Sequence, residues 1–182
     1  MQTDPAIELG VRREALRFAL AGAPMSVPMM WLAVGVMLAP PWRVGAHGLV
    51  RAIAAVALAN GLWRLRFMRQ LPQLTGMGEA RLRRAEIEVE CNAAMGGLMW
   101  GLATWWIYPL LSPQDAGVHV MVLAGASAMA GLYLSMVGRS LALLAVPLIA
   151  PMVWLTLFDP RCRAPQVAAI CAAFLVGLLL AA

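Results

Sequence analysis

His47 and His119 are the residues that first invite chemistry, because two imidazoles from separate segments can ligate haem, copper or zinc. Each opens an apolar run, and neither has a cysteine or carboxylate motif beside it. They are therefore read as histidines at a membrane boundary, without a metal. Cys91, Cys162 and Cys171 lack metal-type spacing. They are read as small packing residues, and no disulfide is expected among them. The 13 methionines include Met29, Met30, Met95, Met99, Met129 and Met136, scattered without a repeated Met-x-x-Met pattern. They suit adaptable packing better than copper handling. The sequence has no phosphate loop, no nucleophile motif and no paired carboxylates inside an apolar run. No catalytic residue, metal or cofactor is expected, and the chain reads as non-enzymatic.

The elements that would position these residues follow from composition. Of 182 residues, 62% are hydrophobic and 13% charged, and the mean hydropathy is +0.77. A soluble domain of this size cannot bury that much apolar surface, so an all-α, polytopic membrane protein is expected as a single domain over residues 1–182. All 14 basic residues are arginine and the net charge is +5. The arginines gather where apolar runs end, the pattern of topology determinants and lipid-headgroup contacts rather than of nucleic-acid binding.

The best-defined run is Asn92 to Pro109, free of formal charge and preceded by Arg81, Arg83 and Arg84. It closes on Trp105, Trp106, Tyr108 and Pro109, so it should leave the cytoplasm at Asn92. Six spans are predicted, at about 18–39, 45–63, 92–109, 118–137, 141–158 and 166–182. They are flanked by a cytoplasmic arm (1–17) and a cytoplasmic connection (70–91). Pro24 and Pro28 predict a kink in the first span, Pro40-Pro41 its end, and Pro147 and Pro151 a kink in the fifth. The connection contains a charged helix, Glu79 to Glu90, feeding into the third span. Placing both termini in the cytoplasm leaves ten arginines inside and three outside, with Arg51 within a span. The first helix should be retained rather than cleaved as a signal peptide. The last run, Val176 to Ala182, has no basic or aromatic anchor after it, so the chain is expected to be the membrane part of something longer.

Small residues point to helix contacts. Gly97 and Gly101 form a notch on the third span, and Ser127, Gly131 and Ser135 make a stripe on the fourth that is its expected partner. Asn60 and Asn92 can hydrogen-bond across helices. A pocket for a hydrophobic signal is expected among Trp100, Tyr108, His119 and the proline-bearing fifth span, Pro147 and Pro151.

Taken together, several stretches resemble the six-helix, MASE-like membrane sensory regions that precede GGDEF diguanylate cyclase or histidine kinase domains in bacterial signalling proteins. The likeness lies in the arginine-bearing arm, Arg64-Leu-Arg-Phe-Met-Arg69, and the charged helix leading into Gly96-Gly-Leu-Met-Trp-Gly101. It extends to Tyr108-Pro109, the small-residue fourth span, and Pro147 with Pro151. The resemblance implies a multi-pass receptor in the bacterial inner membrane, sensing a hydrophobic or periplasmic small molecule. Its last helix would pass a change in packing to a cytoplasmic output domain. Membrane lipids and a second copy in a homodimer are the expected partners, and nucleic acid is not. A small membrane transporter is the alternative.

Overall fold

The computed structural model describes residues 5–69 and 71–180. The parts of the expected arm, connection and sixth span at 1–4, 70 and 181–182 lie outside it. Seven α-helices are present among the described residues: α1 (Pro5–Ala21), α2 (Ala23–Arg43), α3 (His47–Met68), α4 (Glu79–Ile107), α5 (Pro113–Leu134), α6 (Ser140–Phe158) and α7 (Pro165–Leu180). Short 3₁₀ turns at Leu71–Gly76 and Tyr108–Leu110 flank α4.

The expected first span divides in two. Phe18 to Ala21 belong to α1, and α2 begins afresh after Gly22, with Pro24 in its first turn. Proline is favoured there because its missing N–H has no intrahelical partner to lose. Gly22 permits the junction, since a Cβ at this position would strike the Tyr133 ring of α5. At its other end α2 does not stop at Pro40-Pro41 but runs to Arg43. Proline φ is helical and both carbonyls still accept, from Val44 N–H at 3.4 Å and Ala46 N–H at 3.0 Å. Gly45, with φ of +86°, then reverses the chain into α3.

Helix α1 packs against the other helices. Leu16, Ala19 and Leu20 are buried, and the Arg12 guanidinium grips Glu86 of α4 through two bonds of 2.9 and 2.6 Å. Arg13 donates to the Met77 carbonyl at 2.6 Å. The charged helix of the expected connection and the apolar third span that follows it form one unbroken 29-residue helix, α4, about 43 Å long. Helix α5 starts on a Ser112 cap whose hydroxyl oxygen accepts from the Asp115 N–H at 3.2 Å. The α5–α6 turn passes through Gly138, with φ of +48°. There Glu90 of α4 accepts from the Arg139 N–H at 2.9 Å.

Among the described residues four helices, α2, α3, α5 and α6, are long and apolar enough to cross a membrane. Charge in the first half of α4 leaves only its second half apolar. The described part of α7 is 16 residues, about 24 Å. Leu32, Leu58, Leu102, Met121, Leu132 and Val146 are exposed on the outer faces of the helices, which suits a lipid-facing surface.

Candidate functional site

The centre of the packing is the pair α4 and α6. Pro147 and Pro151 lack an N–H, so the carbonyls of Leu143 and Pro147 lose their donors within α6. These same carbonyls face the glycines of α4. A Cβ added at Gly97 would lie 2.9 Å from the Leu143 oxygen and 2.5 Å from that of Leu144. One at Gly101 would collide with the Pro147 oxygen. Two glycines four residues apart thus meet two prolines four residues apart.

This corrects the expected partner of the Gly97 and Gly101 notch, which is α6 and not the small-residue stripe of α5. The stripe turns elsewhere. A Cβ at Gly131 would meet Leu178 of α7 at 3.3 Å. Ser127, fully buried, donates back to the Leu123 carbonyl at 2.8 Å and lines a crevice with Met152 of α6 and Phe174 of α7. Ser135 follows the last residue of α5 and is half-buried. Against the α6 carbonyls there is no room for a Cβ, so only glycine allows this approach.

A cavity of about 260 Å³ lies beside the α4–α6 pair. Its side walls are Met29, Met30 and Ala33 of α2 and Ala126 and Met129 of α5. Trp100 of α4, 3% exposed, and Leu148 of α6 form the back. Met29 is half exposed and Gly125 is exposed, so the cavity opens sideways between α2 and α5. Its polar contributors are Ser26 and Arg64. Ser26 stands in the first turn of α2 and Arg64 near the end of α3, and a short reversal at 44–46 joins these antiparallel helices. The two groups therefore share one end of the cavity. Ser26 is 9% exposed and its hydroxyl has no hydrogen-bond partner. Among the described residues no carboxylate lies within ion-pair distance of Arg64.

Of the five residues expected to share one pocket, Trp100 alone lines this cavity. Pro147 and Pro151 are engaged with the glycines. Tyr108 and His119 meet each other with ring centroids 5.8 Å apart. The His119 Nε2 lies 3.1 Å from the Thr104 hydroxyl, and its Nδ1 is buried without a partner. His119 is only 2% exposed, so it belongs to the helix packing rather than to an open boundary. The His47 ring instead meets that of Trp42, tilted by 59° with centroids 4.4 Å apart. Among the described residues no three His, Cys, Asp or Glu side chains gather in a metal-holding group. The three cysteines are free.

Asn60 and Asn92 do meet: the Asn92 amide donates to the Asn60 side-chain oxygen at 2.7 Å and to its backbone oxygen at 3.2 Å. Sequence reasoning missed the roles of Ser26 and Arg64. It also missed Trp31, whose indole N–H donates to the Ala57 carbonyl at 3.2 Å over Gly61, where a Cβ would sit 2.5 Å from the indole nitrogen. A serine, an arginine and a tryptophan carry no pattern in one dimension that marks them as neighbours.

Comparisons with family models, with curated protein sequences and with solved structures found no match to this chain. The fold itself defines an all-helical protein with several helices long and apolar enough to span a membrane. Among the described residues, a recess of about 260 Å³ with mostly apolar walls lies between these helices.

Proposed function

We propose that this chain is a membrane-embedded sensory module, in which a hydrophobic ligand entering between α2 and α5 shifts the packing of α4 on α6. The carrying observation is the shared wall: Trp100 and Leu148 line the cavity and belong to the two helices held together by the glycine–carbonyl contact. A guest there touches both partners of a close-fitting joint, and differential contact with two packings is what lets a ligand shift a population. Helix α6 in turn packs extensively on α7, so α7 is the output, leading to a cytoplasmic domain of the cyclase or kinase class. The resemblance to six-helix sensory regions supports this reading.

In the proposed topology, α2, α3, the apolar half of α4, α5, α6 and α7 make six crossings of a bacterial inner membrane, with both ends in the cytoplasm. Two features support it. Arginines cluster at the ends of α3 and α4 that pack near α1, while Trp105, Trp154 and Phe158 stack at the opposite ends of α4 and α6, with centroids 4.8 and 5.7 Å apart.

The test is amide hydrogen exchange over 93–107 of α4 and 141–155 of α6 in lipid nanodiscs, with and without medium-chain hydrophobic ligands, alongside a reporter fused after Ala182. Ligand-dependent protection of both segments and a cytoplasmic reporter are expected. A reporter active only in the periplasm, or solute flux across proteoliposomes without any change in α4–α6 protection, would overturn the reading in favour of a different topology or a transporter.

A further inference from the structure

The polar end of the cavity narrows the class of guest. Three observations converge there: a cavity with mostly apolar walls, an arginine without a carboxylate partner among the described residues, and a serine hydroxyl at least nine-tenths buried with nothing to bond. A buried hydroxyl without a partner is costly. A guanidinium presents a planar fork of donors that matches an oxyanion. A neutral apolar guest would fill the walls and leave both groups unanswered. An oxyanion answers both, accepting from the Arg64 guanidinium and from the Ser26 hydroxyl, while an alkyl chain lies along Met30, Ala33 and Met129 toward Trp100.

Size sets the number of chains. At the roughly 30 Å³ a water molecule occupies in the liquid, 260 Å³ holds about nine units of that size. A methylene group is comparable, so the recess is on the scale of one medium-length chain, which favours a single-chain guest over a phospholipid. The opening between α2 and α5 faces sideways, the direction from which a membrane-dissolved molecule arrives.

We infer that the cavity is a binding site for a single-chain anionic amphiphile, its carboxylate or phosphate head held by Arg64 and Ser26 and its tail buried against Trp100. This deepens the sensory reading, and rests on it for what binding accomplishes. It names Arg64 and Ser26 as specificity-determining residues: the first selects charge, the second the orientation of the head.

The experiment uses the full chain in phosphatidylcholine nanodiscs, with equilibrium binding of radiolabelled decanoate competed by decyl phosphate, decan-1-ol or phosphatidylglycerol. Saturable binding of decanoate is expected, with decyl phosphate competing and decan-1-ol weaker by about tenfold or more, the scale of one charge-assisted hydrogen bond. Relative strength of decanoate and decyl phosphate tells whether a fatty-acid or a phosphate head is preferred. Arg64→Gln should erase the preference for the anion over the alcohol, Arg64→Lys should keep part of it, and Ser26→Ala should weaken decanoate several-fold. Because the wild-type comparison of acid with alcohol needs no variant, misfolding of Arg64→Gln cannot shelter the inference. Equal affinity for decanoate and decan-1-ol overturns it, and displacement of decanoate by phosphatidylglycerol at comparable concentration overturns the single-chain assignment. Hydrogen exchange on the same samples separates the two readings. Decanoate that binds selectively without altering α4–α6 protection defeats the sensory function and leaves the ligand class standing. Acid and alcohol that alter protection equally defeat the ligand class and leave the sensory function standing.

Discussion

Gly101 of α4 stands directly against the carbonyl oxygen of Pro147 in α6, an oxygen left without its helical donor because Pro151 has no N–H. One turn away, a Cβ at Gly97 would meet the Leu144 oxygen at 2.5 Å and the freed Leu143 oxygen at 2.9 Å. The contact brings a glycine backbone close to each freed carbonyl. It also ties two sequence features, a glycine pair and a proline pair, into one joint.

Any side chain at Gly101 must push the helices apart. Gly101→Ala should destabilise the protein by about 2–3 kcal/mol, measured as the shift in unfolding in mixed SDS–detergent micelles. Gly35→Ala, at a helical site where a Cβ meets nothing within 4 Å, should be neutral or stabilise by up to about 1 kcal/mol. In a Pro151→Ala background, where the Pro147 oxygen regains its helical donor, the Gly101→Ala cost should shrink. Equal unfolding of the two alanine variants would remove the close approach.

Asn60 and Asn92 form a buried amide pair, so removing one leaves the other without its partner. Asn92→Ala should cost about 1–2 kcal/mol. A double-mutant cycle with Asn60→Ala should return a coupling of about 1 kcal/mol, in the range found between membrane helices. A coupling of zero would mean that the two amides are independently solvated.

Thr104 and His119 link the N-terminal part of α5 to α4. Thr104→Val keeps the shape, removes the hydroxyl and should cost about 1 kcal/mol. It should also move the His119 imidazole nitrogen resonances, because the tautomer loses the group that biases it. Unchanged nitrogen shifts would place the imidazole elsewhere.

The Arg12–Glu86 pair is partly solvent-exposed, with side chains 31% and 20% accessible, so its worth is discounted for screening. Glu86→Gln should lower stability by at most about 1 kcal/mol and speed amide exchange in α1 more than in α2. The difference should narrow as salt is raised.

Arg161 holds the Asp159 carboxyl below its ordinary value of about 3.8, first through the side-chain bond and then through its backbone N–H. A depressed carboxyl stabilises the fold fully above its unfolded value, and that contribution disappears as pH falls through the folded one. Protection of the α6–α7 turn should therefore hold at pH 5 and fall away below about pH 4. Asp159→Asn should show weaker protection at pH 5 and no such step.

Much of the architecture is legible without coordinates because apolar run length and proline are one-dimensional signals. The helical content, the apolar runs that become α3, α5 and α6, and the continuity of the charged helix into α4 follow from them, while the Asn60–Asn92 bond follows from two polar side chains set in apolar runs. Pro24 predicts a kink in the first span, and the break falls at Gly22, two residues before it. What was not legible is the Tyr133 ring, 111 positions away, that fills the place of a Cβ at Gly22.

Sequence by itself determined what each helix could be, since hydropathy and backbone propensity act within a few residues of one another. Only the tertiary structure decided which faces meet. It gave Gly97 and Gly101 to α6 rather than to the stripe of α5, set Trp100 apart from Tyr108 and His119, and brought Ser26 and Arg64 to one end of a recess. Small residues permit a close approach without choosing a partner. The choice falls to whichever neighbour has most to gain from it, here a helix whose prolines leave bare carbonyls.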